Sequence, residues 1–416
     1  MCSEIESDVT IGWIENTAPR SCRPPAANRC ACAIPLPSRS PRLLDSNDDM
    51  NDPPIRIVAY PRNSKMNPHM HLLYSALEPH GFQVIEGNLR ALAGGPYDIV
   101  HLHWPEEILD RPLVRRLRGL TKFLIEMALL RLHGARLVWT VQNIKSHEEH
   151  PGWLARFYRR VFFRNLDGFI SLSQVAHELA MTTYPALRRK ASIVAPRGHY
   201  RDIYPDPPSR EVARATLGLP RDGITIGVIG LIRPYKNIPH LMRCFRELPF
   251  DDVTLFVAGD CQDDALKSEL VELSLADRRV RLEFRFIPES ELPVIVRTLD
   301  LAVLPYTEIL NSGSALLALS LDVPTLAPAM GTLIEVERAV GSEWVRTYPN
   351  TLDAAILTDA VSWARKQRRG SPPLGYFDWT SNARLTADFF RSLLQKPRVA
   401  VEATGIGPSH TPPRTD

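Results

Sequence analysis

Two short stretches of this chain, about seventy residues apart, carry cationic and polar side chains in a pattern suited to phosphate. The first, residues 230–237, follows an apolar run that predicts a strand, and it carries Arg233 and Lys236. The second, residues 304–314, runs from another short apolar strand into a polar turn and a helix predicted to begin near Ser312. An arginine offers a planar fork of donors and a lysine a point charge, so the first stretch suits a phosphate group.

The predicted helix start offers a second anion site, because a helix N-terminus presents unpaired N–H groups and the positive end of a dipole. The residues expected to contact a phosphate there are Asn311, Ser312, Gly313 and Ser314. Together the two stretches predict a pocket for a diphosphate, which indicates an enzyme that uses a nucleotide-activated donor. A solvated basic turn is the alternative for Arg233 and Lys236.

Two further features are expected near the donor. Glu308 lies just before the predicted helix, where a carboxylate can accept hydrogen bonds from ribose or sugar hydroxyls; its alternative role is to complement the helix dipole. His199 and Tyr200 follow Gly198 at the end of the N-terminal half, and we expect them to close over the donor. The alternative for this segment is a turn glycine with packing aromatic rings.

Polar side chains crowd the loop that follows a predicted strand over residues 98–103. His101, His103 and Trp104 suit a sugar-acceptor site with an aromatic platform, and Glu106 or its neighbour Glu107 suits a general base whose pKa is raised by partial burial. A core histidine with a pair of exposed acids is the alternative.

The loop after the next predicted strand, Arg136–Val141, should line the same sheet edge. Asn143 is expected to contact the acceptor, and His147 and Glu148 are further candidates for the general base. A polar loop capping a helix is the alternative. Metal binding by His147, Glu148 and His150 is disfavoured, since their spacing is not that of a helical zinc site, and we expect no metal site.

Composition indicates a globular chain with a charge asymmetry. Of the 416 residues 44% are hydrophobic, and the net charge is +3. Residues 53–200 hold 20 Lys and Arg against 11 Asp and Glu, whereas residues 201–416 hold 25 against 28. Arg-rich helices that combine cations with apolar or aromatic groups, over 115–124 and Trp153–Asn165, suit an anionic membrane surface; an ordinary core face with a basic exterior is their alternative. Nucleic acid is not an expected partner, because no recognition motif accompanies the charge.

The six cysteines show no metal or disulfide spacing, and no secretory leader or membrane-spanning run is evident, so a cytoplasmic setting is predicted. Strands alternate with helices in two sets, which predicts α/β architecture: two Rossmann-like, doubly wound domains facing across a cleft. The predicted divisions are a disordered tail over 1–53, an N-terminal domain facing acceptor and membrane over 54–203, a C-terminal nucleotide-sugar domain over 204–370, a closing helix over 371–396, and a second loose tail over 397–416.

These features resemble the GT-B glycosyltransferases, and more closely the GDP-mannose:glycolipid 4-β-mannosyltransferases of xanthan-type exopolysaccharide assembly. The runs that carry the resemblance are Asp98-Ile-Val-His-Leu-His-Trp-Pro-Glu106, Gly198-His-Tyr-Arg-Asp202, Gly230-Leu-Ile-Arg-Pro-Tyr-Lys236 and Asn311-Ser-Gly-Ser-Ala-Leu-Leu-Ala-Leu-Ser320. The chain differs at Gln142, where relatives often carry a histidine, and at Asn237, where a glycine is common after the lysine.

The resemblance implies transfer of mannose from GDP-mannose, with inversion, to a polyprenyl-diphosphate oligosaccharide at the inner face of the cytoplasmic membrane. It implies a metal-independent reaction without a cofactor. A retaining α-glycosyltransferase on the same fold is the nearest alternative, although Leu316 stands where the second glutamate of the retaining Glu-x7-Glu pattern would be. A nucleotide-sugar epimerase and a non-catalytic sugar-nucleotide-binding protein are the alternatives from other classes.

Overall fold

The computed structural model describes residues 53–62, 68–109, 112–143, 152–204 and 206–395. It contains two six-stranded, wholly parallel sheets with helices on their faces. The strands are β1 (Ile55–Tyr60), β2 (Phe82–Glu86), β3 (Ile99–Leu102), β4 (Arg136–Val141), β5 (Leu166–Ser171), β6 (Ala191–Val194), β7 (Ile224–Ile229), β8 (Val253–Ala258), β9 (Val280–Glu283), β10 (Leu301–Val303), β11 (Thr325–Pro328) and β12 (Val345–Tyr348).

The helices follow the strands in alternation, as parallel pairing requires. They are α1 (His69–Leu77), α2 (Leu89–Ala93), α3 (Leu113–Leu132), α4 (Trp153–Asn165), α5 (Gln174–Thr183), α6 (Arg210–Thr216), α7 (Ile238–Arg246), α8 (Asp264–Leu275), α9 (Leu292–Arg297), α10 (Gly313–Ser320), α11 (Leu333–Val340), α12 (Ala354–Ala364) and α13 (Trp379–Gln395).

The N-terminal sheet has the order β2-β1-β3-β4-β5-β6. Its central strand β4 is buried along its whole length, which explains the near-continuous apolar run Leu-Val-Trp-Thr-Val. The chain leaves β1 for β2 on one side and returns to β3 on the other. The strand order therefore reverses between β1 and β3, and ligands of such sheets bind outside the carboxyl ends of the strands at this point.

The C-terminal sheet has the order β12-β11-β10-β7-β8-β9, and its strand order reverses between β7 and β10. The Arg233 and Lys236 turn follows β7, and the Glu308 loop follows β10. Both predicted phosphate-binding stretches thus lie at the crevice where this fold binds ligands.

The last helix, α13, packs back against the N-terminal sheet. Phe390 is fully buried against β1 and β2, with its ring 5.8 Å from that of Phe82. Gly168 on β5 permits this approach, because a Cβ there would stand 2.7 Å from the ring of Phe389. Helix α13 therefore ties the end of the described chain to the first domain.

The predicted architecture is confirmed, and β4 and α4 have the predicted bounds, Arg136–Val141 and Trp153–Asn165. The sequence analysis missed β6, β12, α2, α6 and α11, whose lengths of four to eight residues carry too little periodicity to register. The predicted tails, apart from Pro53, lie outside the described residues.

Candidate active site

The turn after β7 places Lys236 in a buried position at the cleft. Residues Pro234–Lys236 form a 3-10 turn, and Asn237 follows with a φ of 52°. Glycine favours this left-handed region and asparagine tolerates it, which explains why an asparagine fits this position. The Lys236 side chain is 4% exposed, and its Nζ lies 5.8 Å from the centre of the Tyr306 ring.

The two predicted phosphate-binding stretches are joined directly. The backbone N–H of Thr307 donates to the carbonyl of Tyr235 at 2.9 Å, and the Thr307 hydroxyl donates to the same oxygen at 3.2 Å. The rings of Tyr235 and Tyr306 meet edge to face, with centres 5.7 Å apart. The structure therefore brings together Lys236 and the half-buried Glu308 on adjacent strand ends.

Helix α10 begins where the sequence predicted a helix, near Ser312. Ser312 precedes the helix, and its Oγ accepts from the N–H of Ala315 at 3.2 Å. Asn311 instead reaches across the cleft, where its Nδ2 donates to the carbonyl of Gln142 at 2.9 Å. The amide nitrogen of Asn311 is thus engaged with the N-terminal domain, while Gly313 and Ser314 occupy the first turn.

Burial and like charge both act on Lys236. Desolvation, the larger cause, and the nearby Arg233 guanidinium together lower the pKa of its ammonium group to about 8. Two cations held together at a helix N-terminus favour a multiply charged anion, because such a ligand relieves both the repulsion and the desolvation.

His199 and Tyr200 lie where the chain crosses between the domains. The carbonyl of His199 accepts from Trp379 Nε1 at 2.6 Å, and the Tyr200 N–H donates to the hydroxyl of Ser320 at 2.8 Å. The Tyr200 hydroxyl comes within 3.4 Å of where a Cβ on Gly313 would stand. Tyr200 therefore reaches the start of α10, and the backbone of His199 anchors α13.

The histidines predicted to contact an acceptor occupy the core instead. His101 and His103 are both fully buried, and the hydroxyl of Tyr74 lies 2.9 Å from Nδ1 of His101 and 2.7 Å from Nε2 of His103. A ring without access to solvent does not reach an acceptor, so this placement favours the core-histidine alternative. Trp104 and Asn143 are half-buried at the carboxyl ends of β3 and β4.

The candidates for the general base lie mostly beyond what the structure describes. His147 and Glu148 fall outside the described residues. The backbone of Glu106 lies in a 3-10 turn over Pro105–Ile108, and the hydroxyl of Tyr158 donates to the carbonyl of Pro105. The turn is thereby anchored to α4. Across the described parts of the chain, no three His, Cys, Asp or Glu side chains are grouped to hold a metal.

Arg197 was not among the site residues predicted from the sequence. It follows β6 at the carboxyl edge of the N-terminal sheet, its Nη2 donates to Gln142 Oε1 at 3.0 Å, and its Nη1 lies 3.6 Å from where a Cβ on Gly313 would stand. Recognition of the short run Ala191–Val194 as a strand would have drawn attention to the arginine that follows it.

Comparison with known proteins identifies a relative that matches most of the chain. The chain is 31% identical over 322 residues to a GDP-mannose:glycolipid 4-beta-D-mannosyltransferase of Xanthomonas campestris pv. campestris, and the match covers 76% of this chain and 86% of that protein. It belongs to the GDP-mannose:glycolipid 4-beta-D-mannosyltransferase family. This mannosyltransferase family membership makes the chain a glycosyltransferase, which decides against the epimerase and the non-catalytic alternatives. No family model matches the chain.

Solved structures share the fold of this family member at low identity. Sucrose-phosphate synthase from Thermosynechococcus elongatus superposes with a TM-score of 0.58 at 16% identity, covering 82% of this chain and 99% of that one. Anabaena HepE in complex with UDP-glucose superposes with a TM-score of 0.54 at 14% identity, covering 81% and 97%. The likeness establishes the GT-B fold.

Proposed function

We propose that the chain transfers mannose from GDP-mannose, with inversion, to a polyprenyl-diphosphate-linked oligosaccharide in exopolysaccharide synthesis. The observation that carries the donor half is the direct hydrogen bond between the Lys236 turn and the loop that leads into α10, at the strand reversal of the C-terminal sheet. The relation to a GDP-mannose-dependent enzyme supports the choice of sugar and base.

The proposed reaction is a single displacement. An acceptor hydroxyl attacks the anomeric carbon, a carboxylate or imidazole takes its proton, and the bond to GDP breaks. Arg233 and Lys236 stabilise the charge that develops on the leaving diphosphate, with α10 adding its dipole. Metal is not needed where fixed cations do this work. Glu106 is our first candidate for the base, with His147 and Glu148 as the others.

The N-terminal domain carries a surface suited to a membrane. On α4, Trp153, Phe157, Arg160 and Arg164 fall on one helix face, since their spacing of four, three and four residues keeps them in line. The Trp153 and Phe157 side chains are exposed, at 70% and 41%. Helix α3 packs beside α4 through Phe123 and Tyr158 and exposes leucines of its own. No helix within the described ranges is both long and apolar enough to cross a bilayer.

Aromatic and cationic side chains on one face suit an anionic lipid surface, because rings enter the interface while arginines meet the headgroups. We propose that this face, called the α4 stripe and defined by Trp153, Phe157, Arg160 and Arg164, docks on the inner leaflet. Such docking would bring the cleft to a lipid-linked acceptor.

Thermal stabilisation by nucleotides tests the donor. GDP and GDP-mannose are expected to raise the melting temperature without added metal, and UDP, ADP and their glucose conjugates are expected to raise it less, because a ligand that binds only the folded state stabilises it in proportion to occupancy. Preference for UDP ligands would overturn the choice of donor, and no shift with any nucleotide would overturn the diphosphate pocket.

Product analysis tests the reaction. With a synthetic polyprenyl-diphosphate oligosaccharide and GDP-mannose, proton NMR of the product is expected to show a β-linked mannose, and an α linkage would establish the retaining alternative.

Lys236→Ala is expected to cut turnover by about 10²–10³-fold, by analogy with removal of one charge stabiliser. Arg221→Ala is the matched control, because Arg221 is exposed at the amino end of β7.

A further inference from the structure

A single run of hydrogen bonds crosses the N-terminal domain from its core to the cleft. Its distances lie between 2.7 and 3.2 Å. From the core outward its members are Thr140, His101, Tyr74, His103, Gln142 and Arg197. We call it the buried chain. All but Arg197 are buried, so the geometry of each link is fixed by packing.

The donors and acceptors of the buried chain can be assigned from its outer end. Arginine only donates, so Gln142 accepts with Oε1 and donates with Nε2 to Nδ1 of His103. His103 then carries its proton on Nε2 and donates to the hydroxyl of Tyr74. That hydroxyl donates to Nδ1 of His101, whose Nε2 donates to Thr140.

Both histidines are therefore neutral, with the proton on Nε2. Burial agrees with this assignment, because it lowers the pKa of His101 to about 3 and holds that of His103 well below its ordinary value. If His103 also carried a proton on Nδ1, the Gln142 amide would have to turn its oxygen toward His103. Its NH₂ group would then face the Arg197 guanidinium, where two donors repel each other. The buried chain thus fixes the orientation of Arg197.

The outer end of the buried chain faces the donor domain. Nη1 of Arg197 lies 3.6 Å from where a Cβ on Gly313 would stand, and Gly313 is the first residue of α10. The carbonyl of Gln142 accepts from Asn311, in the loop just before that helix. One residue, Gln142, therefore holds both Arg197 and the loop that leads into the predicted phosphate site.

We propose that Arg197 is a third cationic contact of the donor diphosphate, supplied across the cleft by the N-terminal domain and positioned by the buried chain. The inference rests on the proposed function, since it requires a diphosphate at the start of α10. Arg233 and Lys236 approach from the end of β7, and Arg197 approaches from the facing domain. Its planar fork suits two oxygens of the terminal phosphate of the leaving group.

Calorimetric titration with GDP and GMP tests the contact, with UDP and UMP in parallel. Arg197→Ala is expected to weaken GDP binding by about ten- to hundredfold, the range for hydrogen bonds to charged groups. GMP binding should change far less, because GMP lacks the terminal phosphate. Arg197→Lys keeps the charge but lacks the planar fork of donors, so it should lose less GDP affinity than Arg197→Ala. Arg188→Ala is the control, because Arg188 is exposed on the turn before β6.

Histidine NMR tests the positioning. The nitrogen shifts of His101 and His103 are expected to report the Nε2-protonated neutral form from pH 5 to 8, and a charged or Nδ1-protonated ring would overturn the buried chain. Tyr74→Phe removes the hydroxyl between the two rings. It is expected to weaken GDP binding more than GMP binding while the protein still melts cooperatively.

The outcomes separate this inference from the proposed function. If Lys236→Ala loses GDP affinity but Arg197→Ala binds GDP like the wild type, the role of Arg197 is overturned and the diphosphate site stands. Equal losses of GDP and GMP would also overturn it, because they would indicate a general distortion. If the wild type binds none of GDP, UDP and ADP, both proposals fail. If Arg197→Ala does not fold, the same comparison of GDP and GMP affinities in Arg197→Lys tests the role of Arg197.

Discussion

At the scale of the residue, Lys236 combines burial with a positive charge and a cationic neighbour. An ammonium group at 4% exposure is desolvated, and this desolvation together with the Arg233 charge lowers its pKa to about 8 from an ordinary value near 10.4. Below pH 8 the group is charged in both the folded and unfolded states, so the cost of burying the charge is fully present. Between pH 8 and 10 the folded state releases the proton first, and this cost is relieved. The site is therefore arranged for an anion at neutral pH.

The affinity for GDP is expected to fall as the pH rises through about 8, because Lys236 loses its charge in the unliganded protein. Binding above this pH should take up a proton, since a bound diphosphate favours the ammonium form. Calorimetry at pH 8.5 in buffers of different ionisation enthalpy measures that uptake. Lys236→Arg keeps its charge and should abolish the uptake; an unchanged uptake in this variant would assign the titration to another group.

At the scale of the element, α10 depends on its cap for the ordering of its first turn. Ser312→Ala removes the acceptor for the Ala315 N–H and is expected to cost about 1 kcal/mol in the free energy of unfolding, with a few-fold loss of GDP affinity. Ser209 caps α6 in the same way, through the N–H of Val212. Ser209→Ala should cost similar stability without changing GDP affinity. Chemical denaturation measures the stability and calorimetry measures the GDP affinity. Equal losses of GDP affinity in Ser312→Ala and Ser209→Ala would contradict a local role for the Ser312 cap.

The α4 stripe gives a second prediction at this scale. The double substitution Trp153→Ala with Arg160→Ala is expected to reduce binding to vesicles rich in phosphatidylglycerol by at least about tenfold, since one interfacial ring and about 1 kcal/mol of headgroup attraction are lost. Vesicle flotation measures the bound fraction. Leu275→Ala with Arg278→Ala is the matched control, an exposed apolar and cationic pair on the C-terminal domain. Equal flotation of both variants would reject the stripe.

At the scale of the whole molecule, the domains contact each other through a carboxylate at a helix start. Glu335 on α11 accepts from the N–H groups of Gln174 and Val175, at 3.1 and 2.8 Å, and thereby caps α5 of the N-terminal domain. The Asn311 contact with Gln142 lies on the same seam. A carboxylate at a helix N-terminus contributes up to about 2 kcal/mol. Glu335 therefore stabilises the arrangement in which both domains face the donor.

Glu335→Ala is expected to open the cleft, because α5 loses its interdomain partner. Small-angle scattering should show a larger radius of gyration without ligand, and saturating GDP should restore the value of the wild type. We expect turnover at limiting donor to fall by about three- to tenfold. Glu343→Ala removes an exposed acid from the same domain and should leave both measurements unchanged. A radius that does not change in Glu335→Ala would contradict the contact.

The alternation of apolar strands and amphipathic helices determined the doubly wound fold, because burying both faces of a parallel sheet demands that pattern over long segments. The two stretches predicted to bind phosphate could be proposed from the sequence for a related reason: both are local, each combining a strand end with a cation pair or a helix start. The short elements β6 and α11 could not be found, and with them Arg197 and Glu335 were missed.

Tertiary structure alone decided which polar residues face the cleft. His101 and His103 follow one another in a pattern that suits an acceptor site, yet the packing of α1 and α13 on the sheet encloses both rings. The ring of Tyr74 contacts both histidines and that of Phe390 contacts His101, and both aromatic residues are distant from the histidines in sequence. Arg197 reaches α10 only because two separately folded sheets meet, and no local pattern encodes that meeting. The sequence thus determined the fold and pointed to the stretches proposed for the donor, whereas long-range packing decided which side chains lie beside them.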